Sequence, residues 1–309
     1  MIKETFFSKM PPAMKLVLLA GIIFLGLLIS GILTILISVL YTHGGIADIA
    51  KVASDLTSPE NVFLLKIMQL INHLGMFIMP ALVFAFLVTR KPVSYLKLGN
   101  RISLRCIVYV LIIVLAVMPI LDVLVNLNES INFPSGIEAW MKATENQATQ
   151  LTEAFLNVNT YRAFFFNLFL IALIPAIGEE FIFRGSLQKI LIDWIKNPHV
   201  AIFITAATFS AVHLQFYGFI PRMFLGVILG YIFFWTDNIW YPILLHFMNN
   251  AFTVVMYFLK NRGIFDIEPI EKRISGSVLI VIFSTVFLIT FLFLIQKKQK
   301  KIISDSQQL

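Results

Sequence analysis

The segment that decides the fold of this chain reads Gly178-Glu179-Glu180-Phe181-Ile182-Phe183-Arg184-Gly185. It places two adjacent carboxylates and one guanidinium inside a stretch that is otherwise apolar. A charged side chain at the centre of a bilayer costs about 3 to more than 10 kcal/mol, so such residues face a bundle interior and are candidates for function. On a helix Glu180 and Arg184 share a face, whereas Glu179 projects about 100° away. One acid is predicted to be paired, and the other to be free for chemistry.

The composition of the whole chain predicts a membrane protein. Of its 309 residues, 59% are hydrophobic and 13% are charged, whereas soluble domains carry about 25% charged residues. The predicted fold class is all-α, a polytopic transmembrane helical bundle of about eight spans. Apolar runs give these spans as 15–41, 61–89, 103–126, 155–177 (running on into the acidic segment), 199–216, 218–236, 239–259 and 277–296.

The charge distribution predicts topology rather than a nucleic-acid partner. The net charge is +7, but the basic residues lie in loops and termini beside the predicted spans, so no nucleic acid is expected. One alternate set of connecting segments holds 15 Lys and Arg residues and the other holds 8. The positive-inside rule then places both termini in the cytoplasm of a bacterial-type plasma membrane. The acidic segment 127–153, with Trp140, is predicted outside, as an interfacial amphipathic segment or as a solvated loop.

Two further polar sets lie on later predicted spans, each with its members four residues apart. Phe209 and His213 form the first set, and His246 and Asn250 form the second. Residues at this spacing share one helix face, and counting the helical rise from the Lys196–Asn197 turn puts Glu179 and His213 at matched depth. His246 reaches the same depth only if that turn protrudes from the bilayer. The three helices are therefore expected to converge on one polar site.

Such a site suits hydrolysis. A carboxylate in a low-dielectric pocket can take a proton from water, a histidine can orient that water, and a His/Asn pair can hydrogen-bond an oxyanion. Two histidines and a carboxylate are equally a common zinc set, and the residues leave this choice open. The sequence contains no H-E-x-x-H, P-loop or G-x-S-x-G motif, and no organic cofactor is expected. The single cysteine, Cys106, excludes an intrachain disulfide.

Each polar group also has a purely structural interpretation. Glu180 and Arg184 could form a buried ion pair, although this leaves Glu179 unexplained. A lone intramembrane histidine such as His213 usually hydrogen-bonds a neighbour, and the second set could join two helices. Because three such groups occur on three predicted helices, a purely structural interpretation of all of them is weaker than of any one alone. Other polar residues within the spans have no spaced partners and are predicted to make structural contacts only: Asn72, His73 and Asp122.

In order and spacing, the three motifs resemble those of the CAAX protease and bacteriocin-processing (CPBP) intramembrane protease family, also called the Abi family. The resemblance covers about residues 160–260. It implies an eight-helix intramembrane endopeptidase in which Glu179 and His213 activate water while His246 and Asn250 stabilise the oxyanion. It further implies that the motif is held in shape by three residues: Glu180, Arg184 and Phe209. A divalent metal such as Zn²⁺, where one is used, would be bound by Glu179, His213 and His246.

The resemblance divides the chain into three parts within one structural unit. Residues 1–150 hold three motif-free helices with the extracytoplasmic loop, residues 151–260 the CPBP-like catalytic core, and residues 261–309 the last helix with a basic tail. The expected partners are the lipid bilayer and a membrane-associated protein or peptide substrate. The alternatives are a catalytically silent member that acts as a membrane scaffold, bacteriocin-immunity or regulatory protein, and a transporter, for which no inverted repeat is found.

Overall fold

A computed structural model describes residues 5–43, 45, 51, 52, 54–264 and 277–306. Within these residues the chain is helical and contains no strand. The long helices are α1 (Pro12–Thr42), α2 (Pro59–Thr89), α3 (Leu104–Glu129), α4 (Ser135–Leu156), α5 (Tyr161–Ile195), α6 (Pro198–Ala211), α7 (Phe219–Thr236), α8 (Trp240–Asn261) and α9 (Val278–Ser306). Two short helical segments, Phe6–Lys9 and Pro92–Tyr95, lie between or before them.

Seven of these helices are long and apolar enough to cross a membrane, counting only the described residues. They are α1, α2, α3, α5, α7, α8 and α9. The predicted all-α, polytopic helical bundle is therefore confirmed. The predicted fifth span, 199–216, is shorter than expected, because α6 has only 14 residues and ends at Ala211. The chain then turns through Leu214, whose backbone is left-handed (φ 55°).

Local sequence signals explain where the helices of the site begin and end. Thr160 caps the start of α5 by accepting a hydrogen bond from Ala163 N. Lys196 ends α5 in a left-handed conformation (φ 60°), and Asn197 then caps α6, whose first residue is Pro198. A side-chain acceptor at the cap and a proline in the first turn both favour helix initiation. The α5–α6 hairpin is thus encoded by a few adjacent residues.

The predicted outer segment 127–153 contains the amphipathic helix α4. Its apolar side is packed, since Met141 and Phe155 are buried, while Trp140 is 55% exposed. The helix continues to Leu156, so the fourth span begins at Tyr161 instead of the predicted residue 155. Of the two interpretations given for this segment, the structure therefore favours the amphipathic helix over the solvated loop.

Three π-helical turns interrupt the helices that carry the polar residues. They cover Leu74–Ile78 in α2, and Leu168–Leu173 and Phe183–Leu187 in α5. A π-turn inserts one extra residue into an α-helix and shifts the faces on either side of it, and such turns are frequent at functional sites. The first π-turn directly follows His73, and the third contains Arg184. They therefore mark the part of the bundle where side chains converge.

At one end of the bundle, the connection between α2 and α3 contacts α5, the end of α7 and the start of α8. All of these segments are predicted to lie on the cytoplasmic side. Lys97 Nζ lies 2.7 Å from Asp237 Oδ2, and Trp240 Nε1 donates to Leu98 O at 2.9 Å. Lys189 Nζ donates to Tyr95 O in the same region. These contacts fix the start of α8 against the α2–α3 connection. The basic connection around 265–276 lies outside the described residues.

The charge count needs one correction. The set of 15 basic residues includes Arg184. Its side chain is fully buried in the bundle, which leaves 14 basic residues in that set against 8 in the other. The direction of the bias is unchanged, and the cytoplasmic position of both termini stays a prediction.

Cysteine labelling tests that orientation. We expect Asn146→Cys on α4 to react with a membrane-impermeant maleimide in intact cells, and Lys91→Cys, at the opposite end of the bundle, to react only after permeabilisation. Both native side chains are exposed, and Cys106 is 1% exposed, which keeps the background low. If only Lys91→Cys reacted in intact cells, the orientation in the membrane would be the opposite of the predicted one.

Candidate active site

The predicted ion pair between Glu180 and Arg184 is present. Arg184 Nη1 donates to Glu180 Oε1 at 2.7 Å, and both side chains are 0% exposed. Arg184 Nη2 donates to Gly226 O on α7 at 2.9 Å, which ties the pair to a second helix. Glu180 Oε1 also accepts from His246 Nδ1 at 2.9 Å, which ties it to α8. Glu180 on α5 is therefore linked directly to α8 and, through Arg184, to α7.

Phe209 packs against the charged and imidazole groups of the site. Its ring centroid lies 4.8 Å from the Arg184 guanidinium carbon, 5.1 Å from the His213 ring and 5.7 Å from the His246 ring. An aromatic face next to a desolvated cation is favourable by about 2 kcal/mol. The shape-holding role predicted for Phe209 therefore has a physical basis in these contacts.

Gly226 permits this arrangement because α6 and α7 approach closely there. A Cβ atom on Gly226 would lie 3.2 Å from Ala206 Cα and 3.3 Å from the Phe209 ring. The small-xxx-small spacing of Gly226 and Gly230 thus serves packing. The absence of a side chain at both glycines also leaves their backbone carbonyls accessible to neighbouring side chains. Gln188 Nε2 donates to Gly230 O at 3.0 Å, just as Arg184 donates to Gly226 O.

Glu179 lies beside three histidines from three other helices or turns. Its Oε1 is 3.3 Å from His73 Nε2, and its Oε2 is 3.7 Å from His246 Nε2 and 3.9 Å from His213 Nε2. Glu179 is 5% exposed, and within the described part of the chain its Oε2 has no hydrogen-bond partner. The predicted convergence of Glu179, His213 and His246 is therefore found.

The hydrogen bonds on the far side of two imidazoles decide which nitrogen carries a proton. His213 Nδ1 lies 2.8 Å from Phe209 O, and His246 Nδ1 lies 2.9 Å from Glu180 Oε1. Carbonyl and carboxylate oxygens only accept, so each Nδ1 donates and each neutral ring presents a bare Nε2. Two lone pairs and one carboxylate oxygen consequently face the same point, where a proton donor or a cation would be stabilised.

The structure places His73 in contact with Glu179, which the sequence did not predict, and its predicted role as a structural contact stays a prediction. His73 is on α2, more than 100 positions before Glu179 in the chain, and spacing within one helix could not reveal the contact. A weak signal was available in Gly178. A Cβ there would lie 2.9 Å from Phe77 Cβ and 3.1 Å from Ile78 Cγ1, so the glycine lets α2 approach the acidic segment. Asp122, by contrast, remains apart from this cluster: its Oδ2 is buried without a partner among the described residues.

Asn250 lies one turn after His246 on α8, as predicted, but the described hydrogen bonds do not connect it to either glutamate. Its Oδ1 accepts from Asn249 Nδ2 at 3.2 Å, which leaves its own amide hydrogens as donors. The side chain is half-buried. Its predicted role at an oxyanion stays a prediction.

The predicted metal site also stays a prediction. Among the described residues, no group of three or more His, Cys, Asp and Glu side chains is arranged to hold a metal ion. The donor types nevertheless suit one, because a carboxylate oxygen without a partner and two bare imidazole nitrogens are zinc ligands, and each imidazole is oriented through its other nitrogen. These donors belong to Glu179, His213 and His246.

Comparison with known proteins selects the same part of the chain. A family model described as type II CAAX prenyl endopeptidase, Rce1-like, matches residues 161–252, from the start of α5 into α8. This region of the chain is therefore similar to type II CAAX prenyl endopeptidases, as the resemblance to the CPBP family implies. The match contains all three CPBP motifs and falls within the predicted core 151–260. His73 lies outside it.

One curated protein is also similar to part of this chain. The membrane-embedded CAAX protease MroQ of Staphylococcus aureus (strain USA300) is 33% identical over 98 residues. The aligned part is 30% of this chain and spans about two fifths, 39%, of MroQ. No solved structure matches the chain.

Proposed function

We propose that the chain is an intramembrane endopeptidase that hydrolyses a peptide bond with water activated by Glu179. One observation carries the proposal: the unpartnered Oε2 of Glu179 faces the bare Nε2 atoms of His213 and His246. Three acceptors that meet in a buried site favour a molecule with two O–H donors, which is what a nucleophilic water provides. The family match to CAAX-type proteases agrees with this chemistry.

The reaction follows from these groups. Glu179 takes a proton from the water as the oxygen adds to the carbonyl carbon of the scissile bond, and His213 orients the water by accepting its second hydrogen. The C–N bond then breaks, and the proton held by Glu179 moves to the leaving nitrogen. The products are a carboxylic acid and an amine, so Glu179 returns to its starting state.

The remaining residues of the site bind the substrate or hold other side chains of the site in position. Asn250 would donate an amide hydrogen to the developing oxyanion. His246 can donate through Nε2 only as an imidazolium, because its Nδ1 proton is already given to Glu180. Glu180 and Arg184 hold His246 and the start of the acidic segment in place. They therefore act as positioning residues.

Zn²⁺ or another divalent metal is a proposed addition to this site, with Glu179, His213 and His246 as its ligands. A bound divalent ion would act as a Lewis acid and make water a stronger nucleophile at neutral pH. Chelation separates the two accounts. Activity that falls after prolonged treatment with a strong chelator and returns on adding Zn²⁺ supports the metal, whereas unchanged turnover supports hydrolysis by Glu179 alone.

The substrate class follows from the location of the site. Glu179 lies on a membrane-spanning helix, so the substrate is a protein or peptide that enters or lies on the bilayer. MroQ is described as a membrane-embedded CAAX protease, and substrates of that class are proposed here only as a type: membrane-associated polypeptides.

Peptide cleavage by purified protein tests the proposal. We expect the wild-type chain in detergent to cleave members of an internally quenched library of apolar peptides, with the Glu179→Gln variant as the blank. Equal signal from both proteins would contradict the protease and favour the catalytically silent membrane scaffold or immunity protein.

A further inference from the structure

A cavity of 310 Å³ lies between α2 and the end of α4, and one of its lining residues, His73, contacts Glu179. Its lining includes Leu65, Gln69, Asn72 and Met76 of α2, which recur every three or four residues and so share one face. Leu151 of α4 contributes to the opposite wall. The volume is at the lower end of the range of about 300–1,000 Å³ typical of ligand sites.

His73 connects this cavity to the candidate active site. This residue lines the cavity, and its Nε2 lies 3.3 Å from Glu179 Oε1. An occupant of the cavity would therefore contact a residue that touches the proposed catalytic acid.

Two side-chain amides in this cavity have no hydrogen-bond partner among the described residues. Gln69 and Asn72 are half-buried on a membrane-spanning helix, and none of the hydrogen bonds of the described chain uses either side chain. An amide in apolar surroundings costs free energy unless it is hydrogen-bonded. Each amide offers both a donor and an acceptor, which matches the N–H and C=O groups of a peptide backbone.

The charge of the lining excludes other occupants. No Asp, Glu, Lys or Arg is among the lining residues. The nearby Lys66 is engaged elsewhere: its Nζ donates to Phe155 O at 2.8 Å and to Asn167 Oδ1 at 2.9 Å. A phosphate headgroup would thus lack a cation, and an acyl chain would leave the amides unpaired. The same Lys66 contacts fix the end of α4 against α2 and α5.

We propose that this cavity binds the substrate polypeptide beside the scissile bond, with Gln69 and Asn72 hydrogen-bonding its backbone and the apolar wall taking its side chains. The inference rests on the proposed protease function. It assigns substrate binding to α2, outside the region 161–252 that matches the family. His73 lines the cavity next to Glu179 and acts as a positioning residue.

The test compares Gln69→Leu, Asn72→Leu and the double variant with Gln296→Leu. Gln296 is a half-buried amide on α9 that lines none of the described cavities, so it controls for the substitution itself. With the library peptide that the wild type cleaves fastest, we expect KM to rise about two- to tenfold for each single variant, the range that one lost hydrogen bond gives. The value of kcat should change little, because the amides bind ground and transition states alike.

A structural role for the amides would give a different result. Removing an unpaired amide should leave the melting temperature in detergent equal or higher, whereas removing one that holds helices together should lower it. A lower melting temperature with an unchanged KM would overturn the inference.

Binding separates this inference from the proposed function. Fluorescein-labelled library peptides are titrated into the Glu179→Gln variant with and without the two leucine substitutions. Binding weakened by the double variant and not by Gln296→Leu supports the cavity even if the wild type cleaves nothing, an outcome that would count against the protease alone. Equal binding to all variants, or no binding to any, would overturn the cavity as a peptide site.

Discussion

The Glu179→Gln variant is expected to lose peptide hydrolysis by about a thousandfold while remaining folded. General-base catalysis contributes about 10²–10⁴-fold, and an uncharged amide cannot take the proton from water. The substitution keeps the size of the side chain and leaves the Glu180–Arg184 pair intact. His213→Ala is expected to lose activity by a comparable factor, because its Nε2 lies near Glu179 Oε2 and is proposed to accept the second hydrogen of the attacking water. The measurement is turnover of the library peptide, with the melting temperature as the check on folding.

Glu129→Gln is the matched control for this prediction. Glu129 is an exposed acid at the end of α3, and the same change there should leave turnover at the wild-type value. Turnover of Glu179→Gln within a few-fold of wild type would remove Glu179 from the mechanism.

The second large effect concerns stability. Arg184→Ala and Glu180→Ala are each expected to lower the free energy of unfolding by about 3–5 kcal/mol, because either change strands a fully buried charge. The structure adds that Glu180→Ala also deprives His246 of its acceptor, while Arg184→Ala removes the side-chain hydrogen bond to Gly226 O on α7. The double variant should lose less than the sum of the two singles, since both remove one shared interaction. Chemical unfolding in detergent measures all three losses.

Lys97→Ala provides the comparison for an ion pair outside the core. Lys97 and Asp237 are also 2.7 Å apart, but their side chains are 33% and 61% exposed, so breaking this pair should change stability little. Strictly additive losses for Glu180→Ala and Arg184→Ala would mean that the two charges do not stabilise each other.

The sequence predicted those parts of the site that repeat within one helix. Glu180 and Arg184 are four residues apart on α5, and helical geometry brings them together. Phe209 and His213 are also four residues apart, but α6 ends at Ala211, so the contact of His213 with Phe209 depends on the turn that follows the helix as well. Apolar runs likewise predicted seven of the eight spans, because a bilayer requires about 20 apolar residues per helix, and the fifth, 199–216, is the shorter helix α6.

The sequence could not predict contacts that depend on how helices pack. His73 meets Glu179 only because α2 passes close to Gly178, and Lys66 is buried because Phe155 O and Asn167 happen to reach it. The length of α4 was also missed, since a polar, acidic segment with scattered apolar residues is typical of both a loop and a surface helix. Such features require the distances between elements, which residue spacing does not contain.

The shared carboxylate of Glu180 has a consequence for motion. Because one oxygen bonds both Arg184 and His246, and Arg184 in turn bonds α7, helices α5, α7 and α8 cannot slide past one another without breaking several buried polar contacts at once. A shift of one helical turn would move these groups by about 5.4 Å. This half of the bundle should therefore behave as a rigid frame. A widening that admits the proposed substrate would then involve α2 and the end of α4, which Lys66 ties to α5 through Phe155 O and Asn167.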